Sequence, residues 1–447
     1  MKNLFISPSL PSLAHRQTNL AHKAVKQAVI ATLSAILFIS PAQAADFKEY
    51  PDLPPQQSVL TALQNSPSVL AARAGIQAGQ AAGDRIAAGP YEFSVLAGDS
   101  RRRISDTGQN QRDWTVGLES ALRLPNKYSI DQKIAEQTAT AAEQSYGDAM
   151  HETARRLLAG WFTWLKETAQ SSQWQQQTEL MQKQADSVAR RVKAGDAASL
   201  ENDLTEAARL QADVAWQQAK LRADNAAVSL RNYFPALPLP AKPPLQPPVA
   251  VTEPLEHWLS VGLDHNHELM LARTESKTAQ LMAQRADTDR LPDPTVGLHY
   301  TSERDGADKI AGVTLSIPLP GSARRAVSRE QEARAQMTAQ KEAMVMQRLK
   351  SEITASYNTA RISYLNWKSA HAASELMQRN ADKIARAYDL GEAGLTDVLL
   401  ARKQSLDAKL SETLAGLDAA ESRYRLLLDT HQLWPLGADE HDHDEGR

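Results

Sequence analysis

A short segment that alternates apolar and polar residues occurs twice in this chain, and it limits what the chain can fold into. Between Trp114 and Pro125, every even-numbered position except Ser120 is apolar, and the odd-numbered positions are mostly polar or small. Such alternation predicts a strand with one apolar face, about as long as the 9–11 residues that a tilted strand needs to cross a bilayer. The pattern and its Leu-Pro ending return 195 positions later in residues 311–320. We therefore predict two copies of one unit, each with a membrane strand.

The two copies share a longer succession of elements. A second alternating segment and a polar loop precede each strand, which predicts β-hairpins over residues 91–125 and 294–320. Long helices without proline are predicted over 126–194 and 321–390, and shorter ones over 55–88, 199–233 and 395–429. One long helix and two half-length helices per copy predict an antiparallel helical wall. A sequence repeat supports the alignment, because Glu179-Leu-Met-Gln182 matches Glu375-Leu-Met-Gln378.

These patterns divide the chain into five segments. Residues 1–44 are predicted to be a signal peptide, with basic residues, an apolar stretch and the small-x-small cleavage site Ala42-Gln43-Ala44. The first structural repeat covers 45–234, a proline-rich linker covers 235–253, and the second repeat covers 254–434. Residues 435–447 form an acidic tail that contains histidine.

Composition excludes several classes of function. The chain has no cysteine, which excludes disulfides, thiol nucleophiles and a lipidated cysteine. A net charge of −3 argues against nucleic acid as a partner. The sequence has no phosphate-binding Gly-x-x-x-x-Gly-Lys loop, no His-Glu-x-x-His motif and no arrangement of nucleophile and base. We expect neither an enzyme nor a bound cofactor.

The signal peptide, the duplicated unit, the Leu-Pro strand ends and the two Gly-containing turns resemble the TolC family of outer-membrane efflux channels. The resemblance implies a mainly α-helical chain with membrane β-strands. It implies a homotrimer in which four strands per chain close a 12-strand β-barrel, continued by a 12-column periplasmic α-helical barrel. Closure agrees with the physics, because open sheet edges cannot be hydrogen-bonded in lipid.

Within the family, the chain is most similar to the outer-membrane components of cobalt–zinc–cadmium type RND heavy-metal efflux systems. The similarity rests on the missing cysteine, the proline-rich linker and the His/Asp tail. It implies a passive exit channel opened through a periplasmic adaptor protein and an inner-membrane RND pump, and heavy-metal cations as cargo. A multidrug efflux or type I secretion channel is the alternative. A soluble periplasmic coiled-coil adaptor is an alternative of another class.

The resemblance also implies a gate at the turns that follow the long helices. Carried over by motif, Asp397 takes the position of the acidic constriction, and Tyr388 and Asp203 take that of a linked pair. Leu400 and Ala393 depart from the pattern, since a second acid and a basic residue are expected there. In the alternative reading, Asp203 and Asp397 only start helices, where a carboxylate suits the helix dipole.

The same two turns are predicted to dock the adaptor protein. The candidate residues are Arg191, Gly195, Gly391 and Leu395. The alternative is that these residues only end the helices, since glycine at a helix C-terminus accepts left-handed backbone angles.

The remaining candidates lie in the hairpins and the tail. Alternation predicts that polar side chains face the barrel lumen, namely Glu92, Glu119, Arg123 and His299. His441 and His443 could bind a divalent metal, although nothing in the sequence fixes their geometry. No firm metal site is predicted.

Overall fold

The computed structural model describes residues 50–241 and 245–436, which lie within one compact unit. The predicted signal peptide and the tail histidines lie outside the described residues. The helices and strands, numbered in chain order, are α1 Gln56–Gln64, α2 Pro67–Ala88, β1 Ser94–Arg103, β2 Asn110–Ala121, α3 Pro125–Lys193, α4 Ser199–Tyr233, α5 Leu255–Asp264, α6 His267–Thr288, β3 Thr295–Glu303, β4 Asp308–Ser316, α7 Ser322–Asp389 and α8 Leu395–Asp429. The predicted combination of long helices and four strands is confirmed.

The helices pack as a wall around the two long helices α3 and α7. Each long helix is flanked by the shorter helices of its own repeat, α2 and α4 for α3, and α6 and α8 for α7. In addition, α3 contacts α6 and α8 of the second repeat, so it joins the two repeats. The close approach of α3 and α6 depends on Gly147 of α3, since a Cβ there would lie 2.5 Å from Nδ1 of His267, the first residue of α6.

The N-terminal helix predicted over 55–88 is two helices instead. The chain breaks at Asn65 and Ser66, and Pro67 occupies the first turn of α2. A residue that precedes proline is pushed out of the helical region by the proline ring, and Ser66 has extended angles (φ −67°, ψ 137°). Proline suits the first turn because its missing N–H is not needed there. The helical spacing of the apolar residues continues through the break, so this spacing did not indicate it.

The four strands form one antiparallel sheet in the order β1-β2-β3-β4. The hairpins of the two repeats pair directly, with Leu118 opposite Leu298 and Val116 opposite Tyr300. The register places one apolar side chain after another on a single face: Val95, Ala97, Trp114, Val116, Leu118, Val296, Leu298, Tyr300, Ala311, Val313 and Leu315. Within the described residues, β1 and β4 each have only one neighbouring strand, so their outer edges are unpaired.

The second strand is shorter than predicted. β2 ends at Ala121, although the alternation continues to Leu124. Beyond β2, the amide of Leu122 donates to the carbonyl of Pro294 at 2.8 Å, and the amide of Leu124 donates to the Asp293 carboxylate at 3.2 Å. The chain is therefore still anchored, but by the loop before β3 rather than by sheet pairing.

The hydrophobic core lies at the middle of α3. Trp161, Phe162 and Leu165 are almost fully buried there. They pack with residues near the ends of the shorter elements, including Leu63, Leu230, Tyr424, Leu428 and Trp434. The indole N–H of Trp161 donates to the carbonyl of Asp52 at 2.9 Å, which ties the first described residues to this core.

In the parts of the chain that the structure describes, no helix combines the length and the apolar character needed to span a membrane.

A buried histidine cluster lies beside this core, where the end of α8 meets α3. The rings of His151 and His431 stack with centroids 5.0 Å apart, and His267 meets His431 edge-on at 5.3 Å. Nε2 of His151 donates to the carbonyl of Leu428 at 3.0 Å. Burial, followed by the charge of Arg155, lowers the pKa of His151 to about 3. Burial, followed by the neighbouring histidines, lowers the pKa of His431 to about 3.

Acid is therefore expected to destabilise the fold through this cluster. Both histidines are neutral when folded but bind protons below their ordinary pKa of 6.5 when unfolded. Stability is lost as pH falls from about 6.5 towards 3, by about 1.4 kcal/mol per histidine per pH unit. The free energy of unfolding measured against pH checks this slope.

The double variant H151Q/H431N should flatten the slope, because glutamine can still donate to Leu428, and asparagine tolerates the positive φ of 57° at position 431. The exposed His257 supplies the control variant H257N, which should keep the wild-type slope. An unchanged slope in the double variant would contradict the assignment.

Candidate functional site

The turns that follow α3 and α7 have the same backbone geometry. Gly195 and Gly391 have φ values of 79° and 78°. In the first turn, the amide of Asp196 donates to the carbonyl of Arg191 at 2.8 Å; in the second, the amide of Glu392 donates to the carbonyl of Ala387 at 2.9 Å. This pattern is the glycine-dependent helix ending known as a Schellman motif. The sequence repeat is thus also a repeat of turn conformation.

One side chain joins the two turns. The guanidinium of Arg191 donates a hydrogen bond to the phenol oxygen of Tyr388, which lies one residue before the end of α7. The same guanidinium donates to the carboxylate of Asp196 at 3.2 Å and to its carbonyl at 3.1 Å. Hydrogen bonding to Asp196, followed by the charge interaction with Tyr388, raises the pKa of Arg191. Arg191 therefore links the tips of the two repeats as a permanent cation.

The linked pair predicted at these turns differs from the one observed. Tyr388 was expected to pair with Asp203, but within this chain it accepts from Arg191. Asp203 is exposed on α4. The difference has a physical reason, since a phenol oxygen beside a guanidinium gains a charge-assisted hydrogen bond. Arg191, predicted only as a docking residue, is the linking residue.

The predicted constriction residue acts locally as a helix cap. The Asp397 carboxylate accepts from the amide of Gly394 at 3.2 Å, at the start of α8. Its side chain is otherwise exposed, as is that of Leu400 one turn later. Capping and lining a constriction are compatible uses of one exposed carboxylate. Leu395, predicted to contact a partner, is only 7% exposed and instead packs inward.

A groove lies next to the turns, between helices of both repeats. Its volume is about 300 Å³, and its lining includes Trp174, Met181, Ala212, Leu399, Leu400 and Lys403. These residues come from α3, α4 and α8. Gln177, Gln211 and Thr396 also line the groove, but most of its surface is apolar, so it suits a helical partner better than a small polar ligand.

A charged cluster fixes the opposite end of the helices to the sheet. Lys127, in the first turn of α3, is fully buried, and its ammonium lies 2.9 Å from the Asp289 carboxylate and 3.0 Å from that of Asp293. It also donates to the carbonyl of Leu291 at 2.7 Å. Arg285 of α6 bridges Asp289 at 2.5 Å and Asp131 of α3 at 2.6 Å. The cluster forms a junction between the start of α3 and the loop before β3.

Burial and ion pairing have opposite effects on the pKa of Asp289 at this junction. Burial by itself would raise the pKa of Asp289, but hydrogen bonds from Arg285 and Lys127 lower it overall. The carboxylate therefore remains charged between two cations. Sequence reasoning missed this cluster, because residues 164 positions apart cannot be paired from one sequence. The only available signal was the i, i+4 spacing of Asp289 and Asp293 around a Leu-Pro pair.

The four residues predicted to face the barrel lumen have different surroundings. Glu119 and His299 lie on the polar face of the sheet, opposite Gly297 and Gly117 respectively. Glu92 is exposed but precedes β1. Arg123 follows β2 and belongs to the junction, so the prediction that it lines the pore is wrong.

Three neighbours hold Arg123 at the junction. It forms an ion pair with Asp131 at 3.3 Å and stacks over the rings of Tyr91 and Tyr128, at 4.5 Å and 5.0 Å from the ring centroids. Its side chain is only 12% exposed. Because β2 ends at Ala121, alternation no longer determines where residue 123 points.

The described residues contain no candidate metal site. Among residues 50–241 and 245–436, no group of three or more His, Asp or Glu side chains could hold a metal ion. The tail candidates His441 and His443 lie outside the described residues.

Comparison with known proteins identifies the fold. Residues 59–234 match the family model described as outer membrane efflux protein. A search of curated protein sequences returned no match. The chain is similar in structure to the CmeC outer membrane channel of Campylobacter jejuni, with 15% identity, a TM-score of 0.71, and 98% of this chain and 96% of that one covered.

Two further solved structures resemble the chain. The outer membrane protein VceC of Vibrio cholerae has 14% identity and a TM-score of 0.69, over 84% of this chain and 95% of that one. CusC, whose structures concern transmembrane channel formation, has 14% identity and a TM-score of 0.70, over 89% of this chain and 95% of that one. The chain therefore has the fold of outer-membrane channels.

The turn glycines allow a direct test of the local backbone. G195A and G391A should each destabilise the protein by about 1–2 kcal/mol, because an L-residue is strained at these φ values. Neither substitution meets a steric obstacle, since no atom lies within 4 Å of either added Cβ. The free energy of unfolding measures the cost.

G75A is the matched control for these variants. An added Cβ at this position in α2 also meets nothing within 4 Å, and the backbone there is helical. The control should stabilise the protein by about 0.5–1 kcal/mol. Equal effects of all three variants would contradict the assignment of strain.

The junction cluster predicts an unusually costly lysine substitution. K127M should destabilise the protein by about 3 kcal/mol, because it removes the cation paired with the largely buried Asp293 carboxylate and leaves Asp289 with Arg285 alone. In the control K220M, the lost ion pair to Asp224 is exposed, and the change should stay within about 0.5 kcal/mol. A denaturant titration of both variants compares the costs. Similar costs would show that Lys127 is not electrostatically engaged.

Proposed function

We propose that this chain is the outer-membrane exit channel of a tripartite efflux system. The observation that carries the proposal is the four-stranded sheet, which has one exposed apolar face and two unpaired edges and is continuous with long helices. A soluble protein gains nothing from such a face, whereas a bilayer requires it. The fold shared with outer-membrane channels supports the same location. The helices would then extend into the periplasm.

A homotrimer would complete both parts of the structure. Pairing β4 of one copy with β1 of the next would satisfy the unpaired edges and close a barrel of twelve strands. The helical wall also has apolar side chains on its outer helices. On α4, Leu200, Val214, Leu221 and Val228 are more than half exposed and are spaced by multiples of seven residues.

The other outer helix has a matching row. On α7, Met337, Met344 and Leu365 are between 49% and 66% exposed, again at multiples of seven residues. A seven-residue apolar repeat is typical of helices that pack in a coiled-coil manner. Contact between α4 of one copy and α7 of the next would bury both rows and continue the wall around a tunnel.

The channel would be passive, and its energy would come from an inner-membrane RND pump. A periplasmic adaptor would connect the two, docking at the groove near Leu399 and at the turns around Gly195 and Gly391. The backbone of these turns is exposed, as a docking surface requires. Arg191 contributes here by holding the turns in one conformation.

The cargo that we propose is heavy-metal cations. This proposal rests on the sequence features shared with cobalt–zinc–cadmium type systems: the absence of cysteine, the proline-rich linker and the tail with His441 and His443. Multidrug efflux and type I secretion use channels of the same architecture and are the alternatives. A soluble periplasmic adaptor accounts for the long helices but not for the apolar sheet face.

The link between Arg191 and Tyr388 is proposed to hold the channel closed. It joins the turns of the two repeats, and three copies of it would encircle the periplasmic end. Opening would require the repeats to separate there, which breaks the link. Each link biases the equilibrium between closed and open states by its own free energy.

Conductance in planar lipid bilayers tests this proposal. Wild-type trimers should conduct poorly, and Y388F or R191Q should raise the open fraction roughly severalfold. The double variant should add little to either single variant, because both substitutions remove one interaction.

D203N is the control, because Asp203 has no part in the link within this chain. It should leave the conductance at the wild-type value. Opening by D203N but not by R191Q would instead support the phenol–carboxylate pair that the family resemblance implies. A wild-type protein that forms no conductance at all, with every variant equally silent, would contradict the channel.

A further inference from the structure

Arginine residues follow the apolar band on the membrane-facing side of the sheet. Beyond the pair of Asp99 and Trp114, the register places Arg101 opposite Arg112 and Arg103 opposite Asn110. Alternation puts these residues on the face that carries Val95 and Val116. They lie at the end of the sheet remote from the helices, because α3 and α7 follow the other ends of β2 and β4.

The arginines on this face differ from their inward-facing neighbour. Arg102, on the polar face, is neutralised by Asp113 and by Glu303, both at 2.9 Å. Arg112 is paired with Asp99 at 2.7 Å. In contrast, Arg101 and Arg103 are exposed, and their side chains form no hydrogen bond or ion pair with any described residue.

The arrangement is electrostatically unfavourable for the isolated sheet. Arg101 and Arg112 are directly opposite each other, and like charges in that position are destabilising, although Asp99 compensates the charge of Arg112. Lys309 adds another cation on the same face of β4, opposite Ser302. An external anion that lies between these side chains would remove the repulsion.

The position of the arginines identifies the kind of anion. Trp114 and Tyr300 pack on the same face, with ring centroids 5.6 Å apart, and aromatic rings of this type mark the boundary between membrane and water. Arg101 lies two residues beyond the level of Trp114, or about 7 Å along the strand. At that height, just outside the hydrocarbon, a membrane has its phosphate groups.

We propose that Arg101 and Arg103 bind the phosphate groups of an outer-leaflet glycolipid of the lipid A type. Guanidinium groups bind phosphate through paired, charge-assisted hydrogen bonds. This inference rests on the proposed function, because that function sets the remote end of the sheet at the outer leaflet. The site would anchor each barrel at a fixed depth and surround it with lipid.

Binding of defined lipids to the purified mature trimer in detergent tests the inference. The probes are bis-phosphorylated lipid A, the same lipid without phosphates, and phosphatidylglycerol. The wild-type trimer should bind the bis-phosphorylated form about tenfold more tightly than either other lipid, and R101Q/R103Q should lose about that factor. R101K/R103K should retain part of the binding, because the charge remains but the paired hydrogen bonds of the guanidinium groups are lost.

R325Q/R329Q is the matched control. It removes the same charge from two exposed arginines of α7, near the opposite end of the sheet, and should bind like the wild type. Three results would overturn the inference: equal binding by R101Q/R103Q and wild type, an equal loss in the control, or equal affinity for the lipid without phosphates or for phosphatidylglycerol.

The same preparation separates this inference from the proposed function. An outer-membrane trimer without a preference for lipid A phosphates would overturn only the lipid site. A mature chain absent from the outer membrane would overturn both.

Discussion

Unpaired backbone groups at the two edges of the sheet constrain the rest of this structure. A bilayer has no water to bind the N–H and C=O groups of β1 and β4, and each unsatisfied group costs several kcal/mol there. Residues 50–241 and 245–436 of one chain supply four strands, too few to close the sheet. Closure by identical copies is the simplest solution, and it determines the symmetry of everything attached to the sheet. In the proposed trimer, the helical wall closes with the same number of copies.

Two sets of charged side chains connect this constraint to the proposed gate. At the sheet, Lys127 and Arg285 bind carboxylates near the start of α3 and at the end of α6. These contacts fix the orientation of the helices relative to the strands. At the far end, Arg191 holds the two turns together through Tyr388. The first set is buried, and breaking it would be costly. The second is only partly buried and consists of one hydrogen bond, as suits a contact proposed to open and close.

The general architecture could be predicted from the sequence because its signals are local. Alternation, helical periodicity and an internal repeat need no knowledge of distant contacts, and they indicated long helices and four strands. The break before Pro67 was missed because periodicity continued through it. The prediction for Arg123 was wrong because β2 ends two residues earlier. The junction at Lys127 and the bond between Arg191 and Tyr388 join residues more than 150 positions apart, which one sequence cannot pair.

Cell fractionation followed by native mass measurement tests whether the chain forms a closed trimer in the outer membrane. The mature chain should be recovered with the outer membrane of a producing Gram-negative cell. In detergent it should have three times the mass of one chain and should resist dissociation by mild heating. A soluble periplasmic monomer would contradict the account, because the sheet edges and the apolar face would then have no membrane to explain them.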